Sequence, residues 1–366
     1  MVKIKQIPED FVVKEIFEKK KFRKGEEKGV EKGYYVWFDL TKKNYDLFRC
    51  IKILAKKLGV SIKRFGYAGV KDKRAITTQK ISVWNVPIEK LKDIKLKDIE
   101  LSNFEIKNER INLGDLKGNY FEITIRDIHE KDKEKIEEKL KRIKKEGFVN
   151  FFGEQRFGIR KNTHAIGKAI IKNDLKNAVW LYLTDEGEEK EEIKKFRKFL
   201  KETKNLKEAV KICPKNLRYE KLLLEHLISK PNDYAGALRK LPKKLRLLFI
   251  HAYQAYLWNE IARVSKAKII PLIGFKTKIS EYEDAKTIEK ILEKEGVSPE
   301  NFKIKSMPEL ASEGGERKRI VKAKKLQWSF NKDELNECKI KCIVKFELES
   351  GVYATVFLEN VIKIEN

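Results

Sequence analysis

On either side of the middle of the chain, two stretches alternate strictly between apolar and polar residues. Phe121, Ile123 and Ile125 mark the first; Ile340, Cys342, Val344, Phe346 and Leu348 mark the second. A period of two turns one face of a strand toward a core and the other away from it. Between these stretches, from Asn173 to about Lys325, the periodicity is helical. Helices are predicted at Glu189 to Lys201, Tyr219 to Ser229 and Lys243 to Val264, the last apolar enough to be buried. Strands at both ends with a helical middle imply a discontinuous sheet domain carrying an insertion.

The N-terminal part reads as alternating elements. Pro8 to Glu15 is a short extended segment, Lys19 to Lys32 a charged connector, and Tyr34 to Leu40 an aromatic-rich strand. A helix follows, with Asn44 as its N-cap, Leu47, Ile51, Leu54 and Leu58 as its apolar face and Gly59 as its stop. Lys131 to Glu146 is an amphipathic helix, and His164 to Lys172 is helical. At the C-terminal end, Ser350 and Gly351 predict a hairpin turn and Val352 to Ile364 a return strand.

Charge narrows the partner. Lys plus Arg number 83 against 56 Asp plus Glu, a net charge of +27, which points to a polyanion, with nucleic acid ahead of a membrane surface. No apolar run reaches the ~20 residues of a membrane span. Met1 to Asp10 has no secretory apolar stretch. The four cysteines form no C-x-x-C pair, so neither a zinc site nor a disulfide framework is expected. A reduced, cytoplasmic protein is the expectation.

The stretch Phe65 to Thr78 reads F-G-Y-A-G-V-K-D-K-R-A-I-T-T. Asp72 stands between Lys71 and the pair Lys73 and Arg74, and Thr77, Thr78 and Gln79 follow. Opposite charge favours the ionised form of a carboxylate. Gly66 and Gly69 suggest a sharp turn or room for a ligand. These residues fit a solvated turn, and they also fit a carboxylate offered to a polyanionic substrate. Elsewhere Phe11, Asn150, Phe152 and Tyr353 fit ordinary core or cap positions. They equally fit a pocket in which aromatic rings stack on an extruded base and an amide reads its edge. Phosphate-loop, dinucleotide-loop, zinc-protease and zinc-deaminase signatures are absent.

The sequence resembles the D family of tRNA pseudouridine synthases (the TruD type). The motifs that carry the resemblance are P-E-D-F-V-V-K-E at Pro8, G-Y-A-G-V-K-D-K-R-A-I-T-T-Q at Gly66 and L-G-D-L-K-G-N at Leu113. N-F-F-G-E-Q-R-F-G at Asn150, A-Y-Q-A-Y-L-W-N at Ala252 and G-V-Y-A-T-V at Gly351 complete the set in the family's order. The resemblance implies a mixed-sheet α/β catalytic domain, residues 1–172 and 326–366, with a largely helical domain inserted at 173–325. It implies a cofactor-free, metal-free isomerase with no obligatory protein partner, acting on tRNA, typically at uridine 13. An aspartate starts cleavage of the N-glycosidic bond, and the base is rejoined through C5. Whether it adds covalently or removes a ribose proton is left open. By position, Asp72 is the catalytic carboxylate, Phe11, Asn150 and Tyr353 contact the flipped nucleotide, and Phe152 stacks on the base. Lys5 matches a family lysine by its spacing ahead of Phe11. Position 353 is often Phe in the family, and Tyr353 adds a hydroxyl. A non-catalytic RNA-binding or RNA-chaperone protein is the alternative, and an RNA methyltransferase, for which no cofactor loop is visible, stands third.

Overall fold

The structure, a computed structural model, describes residues 2–17 and 34–362. The connector expected over Lys19 to Lys32 lies outside them. The chain divides into two compact units, one of Met1–Phe148 with Lys322–Asn366 and one of Val149–Val321.

The first unit is built on one mixed sheet. In chain order its strands are β1 (Lys3–Ile4), β2 (Phe11–Ile16), β3 (Tyr35–Lys43), β4 (Phe65–Tyr67), β5 (Ile76–Trp84), β6 (Ile99–Lys107), β7 (Gly118–Ile128), β8 (Lys324–Lys332) and β9 (Ile340–Glu349). The order across the sheet is β8-β9-β7-β2-β5-β3-β6, with β1 added beside β7 and β4 beside β5. So the two alternating stretches, β7 and β9, pair directly, Phe346 lying opposite Phe121. The central pair β2 and β5 is parallel, while their outer neighbours β7 and β3 run antiparallel to them. The start of β2, the start of β5 and the end of β3 therefore share one end of the sheet.

One face of this sheet packs against the helix Leu47–Leu58. Val36, Phe38 and Leu40 of β3 and Ile81 and Val83 of β5 meet Leu47, Cys50, Ile51 and Leu54 there. The helix is capped by Asp46, whose carboxylate accepts from the Arg49 N–H at 3.1 Å. Asn44, expected at that position, instead turns the chain in the left-handed region at φ 58°, a conformation Asn tolerates better than most residues. Gly59 ends the helix at φ 67° as the sequence predicts.

The expected return strand after Gly351 is a helix, Ala354–Val361. Of its five buried residues, Ala354, Phe357, Leu358 and Val361 follow i, i+3, i+4, i+7 spacing, which lines one face of a helix and would scatter over both faces of a strand. An aromatic ladder runs from β2 to this helix. Phe11 meets Phe121 edge-on at 6.3 Å, Phe121 stacks on Phe346 at 5.4 Å, and Phe346 stacks on Phe357 at 4.1 Å.

The second unit is mainly helical. Its axis is the helix Lys243–Val264, buried on most sides through Phe249, Ile250, Tyr253, Leu257, Trp258 and Ile261. The helix Thr163–Ile171 lies so close that a Cβ on Gly167 would come within 2.0 Å of the Phe249 carbonyl oxygen. Ile166, Ala169 and Ile170 of that helix belong to the same core. The packing unit therefore begins ahead of Asn173, where the sequence starts the insertion.

Candidate active site

Asp72 lies in an irregular loop between β4 and β5, at the sheet end where β2 and β5 begin. The loop is gripped from beneath. The Gln79 amide donates to the Gly69 carbonyl at 2.9 Å, and the Lys42 ammonium donates to the Asp72 carbonyl at 2.8 Å. Lys71 turns inward to Glu15 of β2 at 3.1 Å, with both side chains buried. The Asp72 side chain is left 40% exposed, which makes it the accessible acid of a loop whose main chain is fixed.

Lys5 faces it, 3.6 Å from a carboxylate oxygen. The same ammonium sits 3.9 Å above the centre of the Phe11 ring, a cation–π contact. Lys5 holds left-handed backbone at φ 57°, which costs a residue with a Cβ about 1–2 kcal/mol. Rigid surroundings hold that conformation in place. Asp10 accepts from the Ile7 N–H at 3.0 Å and from Arg126 at 2.8 Å, pinning the turn between Lys5 and Phe11. The acid of the P-E-D-F motif is thus structural. Phe11 itself is 2% exposed and forms the floor under Lys5.

Of the two glycines, Gly66 serves another end than the sequence suggests. Neither Gly66 nor Gly69 has a positive φ. A Cβ on Gly66 would lie 2.4 Å from the Ile111 carbonyl oxygen, so Gly66 permits close packing of β4. At Gly69 the nearest atom to such a Cβ is the Lys71 ammonium at 3.8 Å, so that position has room.

Asn150 and Phe152 come together in the second unit around Arg317. Its guanidinium donates to the Asn150 main-chain oxygen at 2.9 Å and to the Asn150 side-chain oxygen at 2.6 Å. It also lies 4.1 Å from the centre of the Phe152 ring. The Asn150 amide donates in turn to the Lys318 carbonyl at 3.2 Å. Asn259, the last residue of the A-Y-Q-A-Y-L-W-N motif, fixes the Phe152 main chain. It accepts from its N–H at 2.9 Å and donates to its carbonyl at 3.0 Å. Phe152 rests edge-on against the buried Trp258 at 5.7 Å. Within each unit, then, residues distant in sequence meet: Lys5 and Phe11 with Asp72 in the first, Asn150 and Phe152 with Arg317 in the second. Tyr353 is the residue immediately ahead of the helix Ala354–Val361, whose Phe357 ends the aromatic ladder that starts at Phe11.

Among the described residues no group of three or more His, Cys, Asp or Glu is placed to hold a metal ion, and no helix is long and apolar enough to cross a membrane.

Comparison with known proteins identifies the class. Residues 1–268 and 261–361 match the family tRNA pseudouridine synthase D (TruD). A relative in Methanococcoides burtonii, named "Probable tRNA pseudouridine synthase D", is 35% identical over 99% of this chain and 93% of its own. One in Methanocaldococcus jannaschii, named "Probable tRNA pseudouridine synthase D 1", is 34% identical over 98% of this chain and 95% of its own. A crystal structure of a TruD protein from Methanosarcina mazei superposes with a TM-score of 0.83 at 33% identity, covering 99% of this chain and 93% of that one. The chain belongs to the tRNA pseudouridine synthase D family, a family of isomerases.

Proposed function

We propose that the protein converts uridine to pseudouridine in tRNA, at uridine 13, with the Asp72 carboxylate as its catalytic group. The observation that carries this is the Asp72 side chain itself: accessible, 3.6 Å from Lys5, on a loop whose carbonyls are held from below. The N1–C1′ bond breaks, the base turns, a C5–C1′ bond forms, C5 gives up its hydrogen to solvent and N1 gains one. Nothing is oxidised or reduced, so no redox partner is required. Catalysis then rests on extrusion of the nucleotide and placement of one carboxylate against it. Lys5, Phe11, Asn150, Phe152 and Tyr353 are proposed as substrate contacts, and residues 173–325 as the inserted domain. The cytoplasm is the proposed location.

Release of tritium from tRNA labelled at uridine C5 tests the reaction, since only isomerisation frees that hydrogen. Pseudouridine should appear at position 13 and be absent when that uridine is replaced. Binding without tritium release would favour an RNA chaperone instead. The net charge of +27 sets a further expectation. Affinity for tRNA should fall roughly 10³-fold between about 50 and 200 mM salt for a contact neutralising some six phosphates. Filter binding across a salt series measures the slope, and a flat response would count against phosphate contacts.

A further inference from the structure

The lysine beneath the catalytic loop is out of place by every packing rule. Along β3, Val36, Phe38, Leu40 and Lys42 project to the same face, and all four are 0% exposed. The first three form the core against the helix Leu47–Leu58. Lys42 continues their phase, so an ammonium stands where an apolar residue would continue the core. Taking such a charge out of water is costly, and an apolar residue of similar volume at a site like this is often neutral or stabilising. Burial accordingly lowers the Lys42 pKa, against the opposing pull of Cys50, Asp46 and Asp72. Stability does not explain the residue, whereas its hydrogen bond does: the amine reaches the Asp72 main-chain carbonyl at 2.8 Å.

The opposite strand repeats the device. Lys42 lies across from Thr77 and Leu40 across from Gln79. Gln79, 1% exposed, reaches up from the same face to the Gly69 carbonyl at 2.9 Å. Two buried polar side chains therefore tie down the loop at Gly69 and at Asp72.

We propose that Lys42 is a positioning residue for the reaction, fixing the main chain of Asp72 so that its carboxylate stands ready before substrate arrives. This rests on Asp72 being the catalytic acid. Preorganisation predicts a particular signature: loss of the anchor slows the chemical step and spares substrate binding, because misplacement of a reacting group by about 1 Å can cost about 100-fold.

The test is Lys42→Met in the full-length protein, followed by single-turnover tritium release from C5-labelled tRNA. The expected result is a rate lowered by about 10- to 100-fold, tRNA affinity within about twofold, and a melting temperature unchanged or raised. Lys42→Gln, one atom shorter but still a donor, should recover part of the rate, and it carries the test if the Met variant does not fold. A Met variant within about threefold of the parent rate would overturn the proposal. So would rate, affinity and melting temperature falling together, which marks a purely structural role. Asp72→Ala, run in parallel, separates the two levels. If it stays active, the catalytic assignment fails. If it is inactive while Lys42→Met keeps full rate, the positioning role alone fails.

Discussion

Replacing Asp72 by Asn is expected to lower pseudouridine formation by about 10⁴-fold or more, the scale seen when a residue that does the chemistry is removed from an enzyme. tRNA affinity should change by no more than a few-fold. Asn keeps the volume and the hydrogen-bonding edge of Asp but has no ionised oxygen to act as base or nucleophile. The fold has little at stake in the exchange. The side chain is 40% exposed, and its 3.6 Å pair with Lys5 is of the kind worth under about 1 kcal/mol. The loop is held through the main-chain oxygens of Gly69 and Asp72, which the substitution does not touch. Tritium release reads the chemistry, and filter binding with melting temperature reads the rest. Near-normal turnover by the Asn or Ala variant would remove Asp72 from the mechanism.

How much of this was legible in the sequence depends on what each residue's neighbours in the chain reveal. The alternation at Phe121, Ile123 and Ile125 identifies β7 because each inward residue is apolar. β6 gave no such signal. As an edge strand it leaves most of I-E-L-S-N-F-E-I-K partly or fully exposed, and its pairing with β3 defines it. In β8 the alternation of Leu326, Trp328 and Phe330 is present but lies inside a lysine-rich tract. The Ala354–Val361 helix is ambiguous in the sequence because a Ser-Gly turn ahead of apolar residues suits a hairpin as well as a helix start. At the site, Asp72 stands out by its basic surroundings, yet Lys42 passes as one more lysine in L-T-K-K. Its phase with Leu40, Phe38 and Val36 was the clue that the side chain points inward. Arg317 could not be joined to Asn150 and Phe152 by any local pattern, since only the tertiary fold brings them together.

The second large effect is expected at Arg126, which takes no part in the proposed chemistry. Its guanidinium, 3% exposed as a residue, donates to Asp10 at 2.8 Å, to Asp333 at 2.8 Å and to Glu334 at 3.0 Å. Asp333 also accepts from the Asp127 N–H at 2.9 Å. Although burial pushes the Asp333 carboxyl upward, the Asp127 and Leu335 N–H groups, Asn336 and Arg126 hold it at about 2, below its ordinary 3.8. Arg126→Leu would strand two buried carboxylates, which typically costs about 3–5 kcal/mol. For a unit of this size that corresponds to a melting temperature lower by about 6–20 °C. A drop of under about 2 °C would show that the network contributes little.

The acid response has a definite sign. A depressed carboxyl pKa contributes stability that is fully present above about 3.8 and is lost as pH falls through about 2, here about 2 kcal/mol. Asp333→Asn should be less stable at neutral pH and should lack that portion of the acid loss, which denaturant titrations at pH 6 and near pH 2 would measure. The partners come from both sides of the insertion: Asp10 ahead of β2 and Arg126 in β7 belong to the first segment of the unit, and Asp333, in the turn between β8 and β9, to the second. Their joint burial closes the discontinuous unit, and Asp10 is also the residue that pins the turn carrying Lys5. Arg126→Leu should therefore lower tritium release even below its melting temperature, by loosening Lys5 and Phe11 beside Asp72. Full activity in the folded fraction would separate the clamp from the site.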